Sequence, residues 1–145
     1  VVFKKQSVIE RLKRLEEVLA KLEGKSRIAP EEYRRDADTQ WIIERGLELA
    51  SSVIFDIGNH ILAGVYRTSV EEYEQILEKL CEKGVISKGL YEELQGLGGF
   101  RNILVHGYLR LDPELVYQHF KKALRTFPGF IAEIERWLES FTRNS

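Results

Sequence analysis

An all-α bundle of five to six helices is the fold this sequence predicts, and three observations predict it. Apolar residues recur at helical spacings of three and four along almost the whole chain, and helix-capping residues punctuate those runs. No segment alternates apolar and polar residues with the period of two that a half-buried strand shows. With 145 residues, 43% of them apolar and 31% charged, the chain suits a single domain over residues 1–145 and excludes a disordered tail or a fibrous repeat.

Val8, Leu12, Leu15, Leu19 and Leu22 share one stripe of a first helix over Val2–Glu23, which Gly24 ends. Pro30 suits a first helical position, and Glu31 and Glu32 place negative charge where the helix dipole favours it. A long helix over Asp36–Ala63 carries Ile43, Leu47, Ala50, Ile54, Ile57 and Ile61. Its second apolar line, Leu49, Val53 and Leu62, implies contact with more than one neighbour. Ser69 and Glu72 read as a capping box opening a fourth helix, whose buried face is Tyr73, Ile76, Leu77 and Leu80 and whose left-handed cap is Gly84. Ser87 is the next cap, and Leu90, Leu94, Leu97, Phe100 and Leu104 line a fifth helix. Gly96, Gly98 and Gly99 each cost that helix up to about 1 kcal/mol relative to alanine, which calls for close packing or a bend. Asp112-Pro113 opens a sixth helix past Val116, Phe120 and Leu124. Pro128-Gly129 is expected to kink or break it before Ile131, Ile134, Trp137, Leu138 and Phe141 continue the stripe.

The charge balance narrows function. With 22 Lys plus Arg against 23 Asp plus Glu, the net charge is −1, so any nucleic acid is met by a local cleft rather than a broad basic face. Residues 36–85 carry 4 basic and 10 acidic groups, an asymmetry that suits either solvated helix faces or the orientation of a charged partner. No stretch approaches the roughly 18–20 consecutive apolar residues of a membrane helix, and residues 1–23 do not read as a secretory signal, so the expected location is the cytoplasm. Cys81 alone builds neither an internal disulfide nor a zinc site and reads as a small apolar filler. His60, His106 and His119 lie far apart, and no phosphate-cradling loop or nucleophile elbow occurs, so no metal or cofactor is expected. His60 reads as a partly buried helix residue and His119 as a surface one. Trp41 and Trp137 suit a core or dimer interface, or the stacking of bases.

One segment concentrates chemistry: Phe100-Arg101-Asn102-Ile103-Leu104-Val105-His106-Gly107-Tyr108. Asn102 and His106 are four apart and share a helix face, whereas Arg101 and His106 point roughly 140° from one another on a regular helix. A helix ending near His106 at Gly107 frees His106 and Tyr108 to turn back. Alternatively, two copies of the segment meet across a two-fold axis and pool two arginines and two histidines around one cleft. Either geometry suits attack on a phosphodiester. Cleaving RNA without a metal takes a base for the 2′-hydroxyl proton, an acid for the leaving oxygen and positive charge for the phosphorane, and histidine with arginine supply these. The residues alone equally suit a structural role, with Arg101 in a helix salt bridge, His106 at a helix end and Tyr108 packed.

Arg101-Asn102-Ile103-Leu104-Val105-His106-Gly107-Tyr108 resembles the Arg-Asn-x-x-x-His-x-Tyr motif of HepT-like toxins in the HEPN superfamily, an all-α group of metal-independent ribonucleases. Glu44 to Glu48 and Asp56 to Ile61 resemble the family's long second core helix. Gly84-Val85-Ile86 and Asp112-Pro113 resemble segments flanking its motif, so the likeness covers roughly residues 28–125. Where the family often has a methionine before the motif, this chain has Leu97-Gly98-Gly99. The resemblance implies a homodimer whose cleft combines both copies of the motif, and an RNA substrate such as tRNA. It also implies a nucleotidyltransferase antitoxin partner like MntA, which attaches AMP to the motif tyrosine. By position, Arg101 binds and stabilises the scissile phosphate, His106 is the acid or base, Asn102 orients the catalytic groups and Tyr108 is the AMP acceptor. The competing expectation is a non-catalytic helical adaptor that binds a nucleotide or a nucleotidyltransferase through the same residues. A plain helical dimerisation module is the third.

Overall fold

The computed structural model describes residues 2–107, 109 and 111–143, and all regular structure among them is helical. Six helices of seven residues or more, α1 (Lys5–Glu23), α3 (Ala37–Tyr66), α4 (Tyr73–Glu82), α5 (Lys88–Leu94), α6 (Leu97–His106) and α7 (Pro113–Arg143), are joined by the short α2 (Pro30–Arg35).

Helix α3 is the axis of the bundle and touches α1, α2, α4, α6 and α7. Ile43, Leu47, Ala50, Ile54, Phe55, Ile57 and Ile61 are buried, and of the second apolar line Leu62 is buried while Leu49 and Val53 pack half-buried against the core. By length and composition α3 could cross a bilayer, a property a core helix shares, and most of its apolar side chains from Ile43 onward pack into the core. Asp36 starts it, accepting from the Thr39 amide N–H at 3.0 Å and the Thr39 hydroxyl at 2.8 Å. These bonds hold the Asp36 carboxyl below its ordinary pKa.

Local chemistry decides where the other helices begin and end. Pro30 occupies the first turn of α2, as expected. Ser87 caps α5 by accepting from the Leu90 amide N–H at 3.1 Å, and it also ties α5 to α7. Its backbone N–H and hydroxyl donate to the two oxygens of Glu133 at 2.6 and 2.9 Å. Asp112 accepts from the Glu114 amide N–H at 3.0 Å and opens α7.

Three expectations need correction. The Ser69–Glu72 capping box does not form: α4 starts at Tyr73, with Glu72 extended at the cap and making no side-chain cap bond. Val70 packs half-buried against the core in the non-helical segment before α4, instead of opening a first turn. The anticipated fifth helix is two, α5 and α6, because Gln95 is non-helical and Gly96 takes φ +89°, a left-handed conformation that turns the chain. Pro128 lies inside α7 and does not break it, since the helix runs on to Arg143. A helix-interior proline costs about 3 kcal/mol or more. Burial of Phe127, Phe130 and Ile134 offsets it, since each large apolar side chain contributes about 1.5–3 kcal/mol.

The two glycines flanking the start of α6 make opposite demands. A Cβ at Gly96 meets no atom within 4 Å, so only the backbone conformation opposes Gly96→Ala, by about 1–2 kcal/mol. Gly99 is helical and equally open, so Gly99→Ala stabilises by up to about 1 kcal/mol through helix propensity. Urea unfolding should move the two midpoints in opposite directions, and an unchanged Gly96→Ala midpoint would refute the turn's dependence on glycine.

Candidate functional site

Helix α6 packs against α3 and α4. Leu97, Gly98 and Phe100 form its buried side, which leaves Gly99, Asn102, Ile103 and His106 exposed. The close approach to α4 occurs at Gly98. A Cβ there would sit 2.9 Å from both the Glu74 backbone nitrogen and the Tyr73 Cβ, so no larger residue fits without moving α4. Glu74 completes the joint by accepting from the Gly98 amide N–H at 2.6 Å, placing a carboxylate at the N-terminal end of α6.

Arg101 follows one turn along the same helix. Its guanidinium carbon lies 4.7 Å from the centroid of the Tyr73 ring, and that ring packs at a tilt of 33° against the buried Phe55, 4.8 Å between centroids. The result is a column from core to surface: Phe55, Tyr73, Arg101. The Arg101 Nε is buried without a hydrogen-bond partner, and Arg101 forms no ion pair among the described residues. The salt bridge that its sequence position allowed is therefore not made.

Asn102 points to a different place, an open groove of about 550 Å³ between α3, α4 and α6, lined also by Asn59, Glu71, Glu72, Glu74 and Gly99. His106 is exposed at the last turn of α6, which closes when the Gly107 amide N–H donates to the Ile103 carbonyl at 2.8 Å. Neither Arg101 nor His106 lines the groove. The helix ends at Gly107 as expected, but within one chain Arg101 and His106 occupy different sides of α6, with no bond joining them. Tyr108 lies outside the described residues. Ile103 and Leu109 present exposed apolar surface beside the motif. Among the described residues no group of three or more histidine, cysteine, aspartate or glutamate side chains is placed to hold a metal.

Other candidates resolve differently from one another. His60 is half-buried, accepts from the Lys4 amide N–H at 3.1 Å and lies against Phe3, a packing role as expected. Trp137 packs between Phe3 and Phe141, whereas Trp41 is 77% exposed and belongs to no core. His119, expected at the surface, is half-buried and stacks face to face on Phe100 with 3.8 Å between centroids. Its spacing carried the signal, since it stands three after Val116 and four before Ala123 and so shares their buried face. Phe100 adjoins Arg101, so the His119 stack helps fix the roll of α6.

Burial lowers the His119 pKa, and the nearby positive charge of Lys122 adds to the effect. Glu93 of α5 lines the same small cavity. Because the folded value lies below the ordinary 6.5, the unfolded chain takes up the proton first. The contribution is thus intact above the ordinary value and is lost as pH falls through the folded one. His119→Phe keeps the stack and removes the titration. Its urea midpoint should fall less than the wild type's between about pH 7.5 and pH 5.5, and parallel curves would rule His119 out as the source.

A sequence profile for the family described as ribonuclease HepT-like matches residues 8–134. The tRNA nuclease HepT of Aphanizomenon flos-aquae is 30% identical over 112 residues, covering 77% of this chain and 76% of that protein. Among solved structures, the cytosolic protein YutE from Bacillus subtilis superposes with a TM-score of 0.81 at 24% identity, over 97% of this chain and 94% of that one. A tri-AMPylated HEPN toxin of Shewanella oneidensis, solved in complex with an MNT antitoxin, gives a TM-score of 0.78 at 21% identity, over 89% and 96%.

Proposed function

The chain belongs to the ribonuclease HepT-like family, and from that membership we propose that it is a metal-independent endoribonuclease toxin acting on RNA such as tRNA. The observation that carries the proposal is the state of the motif. Arg101 stands at the surface end of an aromatic column with no carboxylate neutralising it, and His106 is exposed on the same short helix. In this reading the guanidinium holds a phosphate oxygen and offsets the charge that builds on the phosphorane. One histidine takes the 2′-hydroxyl proton as the 2′-oxygen attacks phosphorus. A protonated histidine gives a proton to the departing 5′-oxygen as the P–O5′ bond breaks, leaving a 2′,3′-cyclic phosphate and a 5′-hydroxyl.

One chain offers a single His106, on a different side of α6 from Arg101. A homodimer that faces two copies of α6 across a two-fold axis supplies both histidines and lets the Arg101 of one copy meet the His106 of the other. Exposed Ile103 and Leu109 support such a contact. Asn102, in the neighbouring groove, orients the catalytic groups. A cytoplasmic nucleotidyltransferase antitoxin of the MntA type is the proposed partner and Tyr108 the AMP acceptor. The AMPylated state and antitoxin complex of the Shewanella oneidensis neighbour support that pairing. An adduct at Tyr108 would bring bulk and negative charge two residues from His106, where the RNA phosphate must sit.

Purified protein free of any Tyr108 adduct by intact mass should cleave total tRNA in EDTA. Arg101→Ala and His106→Ala should each lower the rate by about 10²–10⁴-fold with an unchanged circular dichroism spectrum. Full-rate cleavage by His106→Ala, or none by the adduct-free wild type, would refute the proposal and favour the helical adaptor.

A further inference from the structure

Arginine can be held at a surface in two ways that differ in what they leave free. A carboxylate partner occupies the in-plane N–H donors and neutralises the charge, whereas an aromatic face contacts the guanidinium from above and leaves its edge and charge available. Glu71, Glu72 and Glu74 line the groove beside α6, yet among the described residues Arg101 forms no ion pair with a carboxylate. Glu74 is instead engaged by the Gly98 amide N–H. What meets the guanidinium is the face of Tyr73, which is backed by Phe55.

We infer that Tyr73 is the positioning residue of the ribonuclease site: its ring carries the Arg101 guanidinium by the face and so presents the outer N–H edge to the scissile phosphate. The inference rests on the function proposed for Arg101 and adds a residue outside the motif. Tyr73 touches neither substrate nor reacting atoms in this account and acts only through Arg101. Three features make the arrangement rigid. Phe55 fixes the ring from below, Gly98 lets α6 approach the Tyr73 Cβ closely, and the Glu74 carboxylate locks the first turn of α6 against the residue that follows Tyr73. The Nε is buried, so in this account the two terminal nitrogens are the ones that bind phosphate.

The test is a double-mutant cycle on tRNA cleavage with two controls. Tyr73→Leu should lower kcat by about tenfold while KM changes little, and Tyr73→Phe, which keeps the π face, should stay within about twofold of wild type. In an Arg101→Ala background, Tyr73→Leu should add less than about twofold, because the contact it removes is already gone. A tyrosine that merely supported the fold would cost activity equally in both backgrounds. The contact itself is read in the wild-type protein without any assay of activity. The Arg101 Nε–H proton should resonate upfield of the ordinary arginine position in an NMR spectrum, and Tyr73→Phe should retain the shift. An unshifted Arg101 proton, or full activity in Tyr73→Leu while Arg101→Ala is inactive, overturns the inference alone. Wild-type rates in Arg101→Ala overturn the function assigned to Arg101 and this inference with it.

Discussion

Along its thirty residues α3 carries apolar side chains on more than one face, and a helix with that pattern is satisfied only when it is surrounded. That requirement sets the rest of the molecule. Helix α1 covers one side with Val8, Leu12, Leu15, Leu19 and Leu22, and α7 another with Phe120, Phe127, Phe130 and Ile134. The pair α4 and α6 closes the remainder. Helix α6 is short and glycine-rich, a poor helix by propensity, and it holds its shape because it is pressed onto this frame. Phe100 stacks on His119 of α7, and Gly98 sits against the start of α4.

The same seating explains the state of the site. Because α6 meets α4 at Gly98, Arg101 one turn later falls over the Tyr73 ring, where it forms no ion pair among the described residues. Because α6 ends at Gly107, His106 lies at its exposed end and on another side. A single subunit therefore presents an arginine and a histidine that do not converge. Under the dimeric proposal this divergence is the useful property, since side chains diverging within one copy can converge between two.

Much of this was legible in the sequence. The stripes of α1 and α3, the Asp36, Ser87 and Asp112 starts and the end of α6 at Gly107 follow from local periodicity and capping chemistry, and each forms as expected. What escaped were outcomes decided by tertiary contact. The Ser69–Glu72 pattern lost to the packing of Val70, and Pro128 was overridden by the phenylalanines buried on either side of it. The Gly96 bend was one of two options that the glycine cluster left open. At the site, the motif was visible as residue types, but Tyr73 could be read only as core. No spacing rule joins a residue on α4 to one 28 positions later on α6. His119 is different: its spacing from Val116 and Ala123 was there to be read.

The central claim is that the catalytic groups of this family member are assembled between chains, and mixed dimers test it directly. A dimer of one Arg101→Ala chain and one His106→Ala chain, purified through two different affinity tags, retains one site with an intact arginine and an intact facing histidine. The account predicts cleavage from it above that of either mutant homodimer and below half of wild type, because the shared cleft keeps one arginine but only one of its two histidines. Mixed dimers as inactive as the homodimers would show that each chain works with its own Arg101 and His106, and would contradict the account.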